Sequence, residues 1–217
     1  MKSEANVPLM SDHKLITIRD VARLAGVSPI TASRALNKSH LVKRETRQKV
    51  EAAAAELKFI GNSAAGSLSN KRSKIVGIIV PTLSNSIFAD TIQSITSRLM
   101  SEGFQALIGS NEYCLQREED IIRTFISHRA DALILTGNIH SKVTEELIEQ
   151  YRIPTVEIWN ISERGKHISV GMSNYQAAFE MTSFLISRGY EKIGYIGGPL
   201  ENNDRSQDRM QGYRDAL

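Results

Sequence analysis

The chain has one cysteine in 217 residues, Cys114, so no disulfide can form within it and a reducing compartment suits it. Its apolar runs are short. Ile75-Val76-Gly77-Ile78-Ile79-Val80 is among the longest, well below the length that spans a bilayer. The N-terminus, MKSEANVPLM, lacks the apolar core of a signal peptide, which argues against secretion. The expectation is a cytoplasmic protein with no membrane partner. Histidines stand at 13, 40, 128, 140 and 167 without metal-ligand spacing, so no metal is expected. Gly194 and Gly197-Gly198 form no dinucleotide fingerprint, Gly109 has no glycine-rich continuation, and no P-loop or kinase signature occurs. Cys114 has no nucleophile context and reads as a partly buried thiol. With no acid/base pair or nucleophile standing out, an enzyme is disfavoured, and no catalytic residue or cofactor is expected.

What is present is a charge asymmetry. Residues 1–74 hold 14 Lys and Arg against 6 Asp and Glu, whereas residues 75–217 hold 13 against 18. A basic head on an acidic body points to a polyanion at the head only. A basic head is also what a solvated face or tail would show, so the motifs have to decide.

In TIRDVARLAGVSPITASRALN (17–37), Thr17 is a plausible N-cap with Asp20 completing a capping box. Val21, Ala22, Leu24 and Ala25 form an apolar side, and Gly26 can end the helix in a left-handed conformation. Ser28 caps a second helix with Pro29 at its first position. Ala32, Ala35 and Leu36 turn inward; Ile30, Thr31, Ser33, Arg34 and Asn37 stay at the surface or the ends. A third helix, 45–58, presents Val50, Ala53, Ala54 and Leu57. Small residues at 22, 25 and 32 permit the close crossing of a helix-turn-helix. Arg34 reads either as a solvated helix residue or as a base contact, and its exposed face favours the contact. Ser28, Thr31 and Ser33 serve as caps or back-bonders, with Ser28 and Thr46 also placed to reach phosphates. Lys43, Arg44 and Arg47 lie near helix N-termini, where they make a phosphate clamp.

From Lys74 onward strands and helices alternate. Strands are expected at 75–80, 104–109, 132–136, 155–159 and 192–197, with helices at 86–102, 116–128, 141–150, 174–188 and from about Asp204. Phe88, Ile92, Ile95, Leu99 and Met100 mark the buried side of the first of these helices. Near-continuous apolar strands between helices imply a parallel sheet covered on both faces, with ligands beyond the strands' carboxyl ends. That places Pro81–Ser86, Ser110–Tyr113, Thr136–His140, Trp159 and Pro199–Arg209 around a cleft.

The Asp-Val-Ala, Ala-Gly-Val-Ser and Thr-x-Ser-Arg elements, with ETRQKVEAAAAELKFIGN behind them, resemble the headpiece of lactose/galactose-type bacterial repressors. IGYIGG followed by DRMQGYRDAL resembles that family's sugar-binding core. PTLSNSIFAD, RADALILTGNIH, IPTVEIW and DRSQDRMQGY are most similar to its regulators of gluconate and related sugar acids. The resemblance implies an all-α helix-turn-helix headpiece at 15–60 and a hinge at 61–73. Behind them it implies an α/β periplasmic-binding-protein-like core, its first subdomain at 74–172 and the start of a second at 173–217. It further implies a dimeric repressor of sugar-acid utilisation genes that binds operator DNA and is released by a small-molecule effector. The operator-facing set would be Thr17, Ile18, Ser28, Pro29, Ile30, Thr31, Ser33, Arg34, Asn37, Lys43 and Thr46, with Asn62, Ala65 and Leu68 of the hinge. Pro29, Ile30 and Arg34 would read the major groove, Ile30 by apolar contact with a thymine methyl. Leu68 would wedge a minor-groove step beside Ala65. The effector set would be Asn85, Phe88, Thr136, Glu157, Trp159, Asn174, Arg205 and Arg209. Arg205 and Arg209 would meet a carboxylate; Asn85, Thr136, Glu157 and Asn174 would meet hydroxyls, and Trp159 would stack on the ligand. Phe88 serves either the ligand or the core.

The chain departs from the family pattern at Ala32, Lys43, Gly66 and Ser173, and Ser173 weakens the ligand inference nearby. Family members are longer, so the resemblance also implies a C-terminally truncated chain. An effector-unresponsive fragment and a non-regulatory sugar-binding module are the competing readings.

Overall fold

The computed structural model describes residues 16–37, 41–60, 72–161 and 165–217. They belong to two compact units that divide between Lys71 and Arg72. Asn62, Ala65 and Leu68, expected in a hinge, lie outside the described residues.

The first unit contains α1 (Ile18–Leu24), α2 (Pro29–Asn37) and α3 (Arg44–Glu56). The Asp20 carboxylate accepts the Thr17 backbone N–H at 2.9 Å and the Thr17 hydroxyl at 2.7 Å, which fixes the chain's entry into α1. Gly26 has φ +67° with nothing within 4 Å of where its Cβ would be. The turn therefore needs glycine for its conformation and not for space. Ser28 Oγ accepts the Thr31 N–H at 3.2 Å, and Pro29 opens α2 where its missing donor costs nothing. Val21, Ala22, Ala32, Ala35, Val50 and Ala53 form the core, with Ile18, Leu36, Leu57 and Phe59 packed round it. Leu24 does not join them and is 47% exposed. At 3.6 residues per turn it sits about 120° from the stripe of Ile18, Val21, Ala22 and Ala25.

In the second unit β1 (Ile75–Val80), β2 (Gln105–Ser110), β3 (Ala132–Thr136), β4 (Thr155–Ile158) and β5 (Ile168–Val170) form one sheet of order β2-β1-β3-β4-β5. Every neighbouring pair is parallel. Helices α4 (Ser86–Ser101), α5 (Leu115–Ser127) and α6 (Lys142–Tyr151) connect the strands, and α7 (Asn174–Ser187) and α8 (Asp204–Ala216) follow. Ile78 and Val80 pack on Phe88 and Ile92 of α4 on one face. Ile79, Leu133 and Leu135 pack on Ile122, Phe125, Leu147 and Ile148 of α5 and α6 on the other. Met100 is 60% exposed, about 110° off the α4 stripe of Phe88, Ile92, Ile95 and Leu99 by the same helical arithmetic.

Two strand expectations are corrected. Residues 192–197 form no strand, and Ile196 is fully exposed. A parallel strand exists only through a partner's backbone, and no described strand pairs with this run. Conversely, 168–170, where no strand is expected from sequence, pairs with β4 from Ile168↔Val156 to Val170↔Ile158. Three residues carry too little periodicity to announce a strand.

Helices α7 and α8 pack closely because of Gly212. A Cβ there would lie 2.2 Å from the Tyr175 carbonyl oxygen and 3.1 Å from the Phe179 nitrogen, both backbone atoms that cannot swing aside. Gly212→Ala is expected to destabilise the second unit by about 1–3 kcal/mol, despite alanine's better helix propensity. Urea unfolding followed by circular dichroism measures this; an unchanged midpoint would refute the close crossing.

Candidate functional site

On the first unit the exposed side of α2 is a polar and apolar mixture. Ile30 is 66% exposed, and Arg34, one turn on, is exposed and has no ion pair among the described residues. Pro29 and Lys43 are exposed as well. Other expected operator-facing residues have internal duties. Thr17 caps α1, Ile18 packs on the core, and the Ser28 and Thr31 hydroxyls meet at 2.9 Å. Asn37 Nδ2 donates to the Ser33 carbonyl at 3.0 Å. Thr46 is half-buried in the first turn of α3, and Arg47 pairs with Glu51 at 3.4 Å.

The second unit has a cleft of about 400 Å³ lined by Asn85, Phe88, Trp159, Asn174, Arg205 and Arg209, together with Ile87, Tyr113, Met172, Gly198, Pro199, Asn203 and Ser206. Parallel strands bring their following loops to one edge, and the cleft lies there. Its loops hold strained backbone: φ is positive at Glu112 (50°), Tyr113 (59°), Trp159 (74°) and Asn202 (50°). Such conformations persist only where surrounding contacts enforce them, and they gather at binding sites. Trp159 N–H donates to the Val170 carbonyl at 3.1 Å, and its ring meets Phe88 edge-on with centroids 5.9 Å apart.

A polar seam runs behind the cleft. Asn160 Nδ2 donates to Asp204 at 2.8 Å and Asp208 at 2.7 Å, while Asn160 Oδ1 accepts from Asn174 Nδ2 at 3.1 Å. Asp204, only 5% exposed, also accepts the Asn138 N–H at 3.1 Å and pairs with Arg205 at 2.9 Å. Arg205 is pressed over Gly137, whose Cβ would lie 2.2 Å from its Nη1. Arg209 differs. It donates to Asn174 Oδ1 at 2.5 Å and Ser206 Oγ at 3.2 Å, both neutral, and has no carboxylate partner among the described residues. Among the described cleft-lining residues, the cation without a carboxylate partner is therefore Arg209.

Two expected ligand contacts are not in the cleft. Thr136 is absent from the cleft lining, and its Oγ1 donates its proton to the Ile79 carbonyl at 2.9 Å on the neighbouring strand. Glu157 is in register with Leu135, so its side chain shares the face covered by α5 and α6. There it is buried, with Oε1 3.8 Å from His140 Nε2. Tyr113, Met172, Asn203 and Ser206 were not singled out as contacts. All but Met172 fall in sequence windows that the strand ends placed round the cleft.

His140 has a fully buried side chain, with Nδ1 2.8 Å from Glu118 Oε1. Burial disfavours its cation, but the Glu118 hydrogen bond and the charges of Glu118, Glu157 and Glu145 outweigh it and raise the pKa above 6.5. Burial raises the pKa of Glu157 above its ordinary 4.5, against the opposing pull of His140 and His167. Among the described residues no group of three or more His, Cys, Asp or Glu is arranged to hold a metal ion. No described helix is long and apolar enough to cross a membrane.

Residues 17–62 match the family model for bacterial regulatory proteins of the lacI family. Residues 73–217 match that for periplasmic binding proteins and the sugar binding domain of the LacI family. The HTH-type transcriptional regulator GntR of Pseudomonas aeruginosa is 37% identical over 93% of this chain and 58% of its own length. A LacI-family transcriptional regulator from Silicibacter pomeroyi superposes with TM-score 0.85 at 32% identity, over 93% of this chain and 61% of that one. The lac repressor dimer bound to operator and an anti-inducer gives TM-score 0.74 at 26% identity, over 94% and 62%. The chain thus spans about three fifths of the length of these relatives. It belongs to the lacI family of bacterial regulatory proteins.

Asn160→Ala removes the donor shared by Asp204 and Asp208 and is expected to cost about 1–3 kcal/mol, the usual penalty for a buried acceptor left short. Denaturant titration checks it, and an unchanged midpoint would contradict the seam. His140, with its pKa raised on folding, contributes stability that is full below the ordinary 6.5 and is lost as pH rises through the folded value. Thermal melts of wild type and His140→Gln across that window test the sign: the wild-type melting temperature should fall with rising pH, and the variant should lack that component.

Proposed function

We propose that this chain acts as a sequence-specific, DNA-binding repressor of carbohydrate utilisation genes, with a sugar acid such as gluconate as its effector. The observation that supports DNA reading best is the exposed Pro29–Ile30–Arg34 face of α2 on a basic unit with a helix-turn-helix core. In this reading Arg34 donates to a guanine edge while Ile30 meets a thymine methyl on a neighbouring pair. Lys43 and the N-termini of α2 and α3 hold phosphates. Residues 15–60 are the reading headpiece and 61–73 the hinge, with Leu68 wedging a minor-groove step beside Ala65 and Asn62 at its start. Residues 74–172 and 173–217 supply the two sides of the effector cleft.

An anionic effector is favoured by Arg209, a half-buried cation held only by neutral partners. A carboxylate there gains a charge-assisted bond without displacing an internal one. Asn85 and Asn174 serve hydroxyls, and Trp159 with Phe88 gives the carbon chain an apolar wall. The lac repressor structure is a dimer on its operator. The same arrangement here would place two headpieces on a pseudo-palindromic site, and effector binding in the cleft would weaken operator affinity through linkage.

Selection of genomic DNA fragments by the protein, with and without gluconate, tests operator and effector together. Enrichment of one palindromic site, lost with gluconate, is expected; no sequence preference would overturn the proposal. Arg34→Ala should cost about 1–3 kcal/mol on the selected site and relax preference at one base position. Equal loss on every sequence would instead make Arg34 a phosphate contact.

A further inference from the structure

Two loops from different strands reach the start of α8, one lining the cleft and one lying behind it. The loop after β2 carries Tyr113 into the cleft, and the loop after β3 carries Gly137 under Arg205 and Asn138 against Asp204. A single carboxylate joins them. Glu118 of α5 is 2% exposed; its Oε2 accepts Asn111 Nδ2 at 3.1 Å, and its Oε1 meets His140 Nδ1 at 2.8 Å. Asn111 Oδ1 in turn accepts the Tyr113 N–H at 3.2 Å, and the Tyr113 carbonyl accepts Asn202 Nδ2 at 3.1 Å. One side chain thus ties the Tyr113 loop to the 137–141 loop, and both reach residues at the start of α8.

We propose that Glu118 and His140 are a positioning pair that binds the cleft-lining Tyr113 loop to the loop behind it, as one wall, and so sets the cleft's affinity for its ligand. The ligand half of this proposal rests on the sugar-acid reading; the wall half does not. A buried carboxylate that meets two donors holds them in place because neither has water as an alternative. Acidic groups crowd the pair from every element packed against it: Glu118 and Glu119 from α5, Glu145 from α6, Glu157 from β4, and Asp204 from α8 facing Glu157. Positive or titratable compensation comes from His140 itself, from His167, which lies 3.4 Å from Glu145, and from Lys166 on the same carboxylate. A proton on His140 therefore offsets several negative charges at once. When it leaves, Nδ1–H can still donate to Glu118, but Glu118, Glu145 and Glu157 repel with less to hold them. The two loops then separate on the side that carries Tyr113.

Trp159 is the chain's one tryptophan and lines the cleft, so its emission reports on the wall without any ligand. The experiment uses the full chain labelled with ¹⁵N-histidine. Imidazole resonances, Trp159 emission and gluconate affinity are followed from acid to alkaline pH in wild type, His140→Gln and Glu118→Gln. His140 should titrate above the ordinary imidazole value, with Trp159 emission sharing its midpoint. Gluconate affinity should fall about tenfold across that midpoint, within the usual range of coupling between two linked sites. His140→Gln, which keeps a donor to Glu118 but cannot titrate, should flatten the emission and affinity profiles. Glu118→Gln should lower the His140 midpoint and move the emission midpoint with it. Trp159 emission that ignores the His140 titration, or a His140→Gln profile identical to wild type, overturns the proposal. If gluconate fails to bind at any pH, the sugar-acid reading falls while shared titration of His140 and Trp159 still decides the wall. If His140→Gln does not fold, the wild-type and Glu118→Gln titrations decide it.

Discussion

Burying a carboxylate without donors costs several kcal/mol, and the carboxyl edge of this sheet is organised round that constraint. Asp204 and Glu118 are both 5% exposed or less. Each draws groups from other elements toward itself. Asp204 gathers Asn138 from the β3 loop, Asn160 from the end of β4, and Arg205 beside it. Through these bonds the start of α8 is fixed against strands more than forty residues earlier in the chain. The cleft is the space left over when those demands have been met, and the positive φ values at Trp159, Tyr113 and Asn202 are their conformational cost.

The two units solve opposite problems. In the first, alanines at 22, 32, 35 and 53 let three short helices approach closely, so the core is formed with little apolar surface and α2 keeps one side exposed. Helices this short are not stable alone; each exists because the other two cover it. In the second unit the apolar strands supply ample burial, and the difficulty moves to polar groups at the sheet's edge. The hydroxyl of Thr136 shows how that edge is used: its one proton goes to the β1 carbonyl, and the residue does not line the cleft.

This difference decides what the sequence makes legible. Caps, the Gly26 turn and the alternation of strand and helix are local signals, and local signals survive reading from sequence. The parallel sheet and a cleft beyond its strands' carboxyl ends follow from them by topology. The facing of Glu157 is not legible because it is a matter of register with Leu135, which no local pattern states. The run 192–197 has the composition of a strand, yet a strand is a relation between two segments, and composition describes only one. Asn160 is illegible for the same reason: its importance lies in Asp204, Asp208 and Asn174, which converge on it from distant parts of the chain.

Arg205 and Arg209 carry this point into ligand recognition. One turn apart on the same helix, they look equivalent in sequence, and both line the cleft. Their surroundings separate them. Arg205 is neutralised by Asp204 and backed by Gly137, so a ligand carboxylate that recruited it would have to compete with an internal one already desolvated. Arg209 faces only an amide oxygen and a hydroxyl, and a ligand anion adds to those bonds without breaking them. On the proposed sugar-acid reading, selectivity for a charged over a neutral sugar resides mainly in Arg209. Arg205 acts chiefly by holding Asp204, and through Asp204 the Asn138 and Asn160 segments, in the positions that leave Arg209 open.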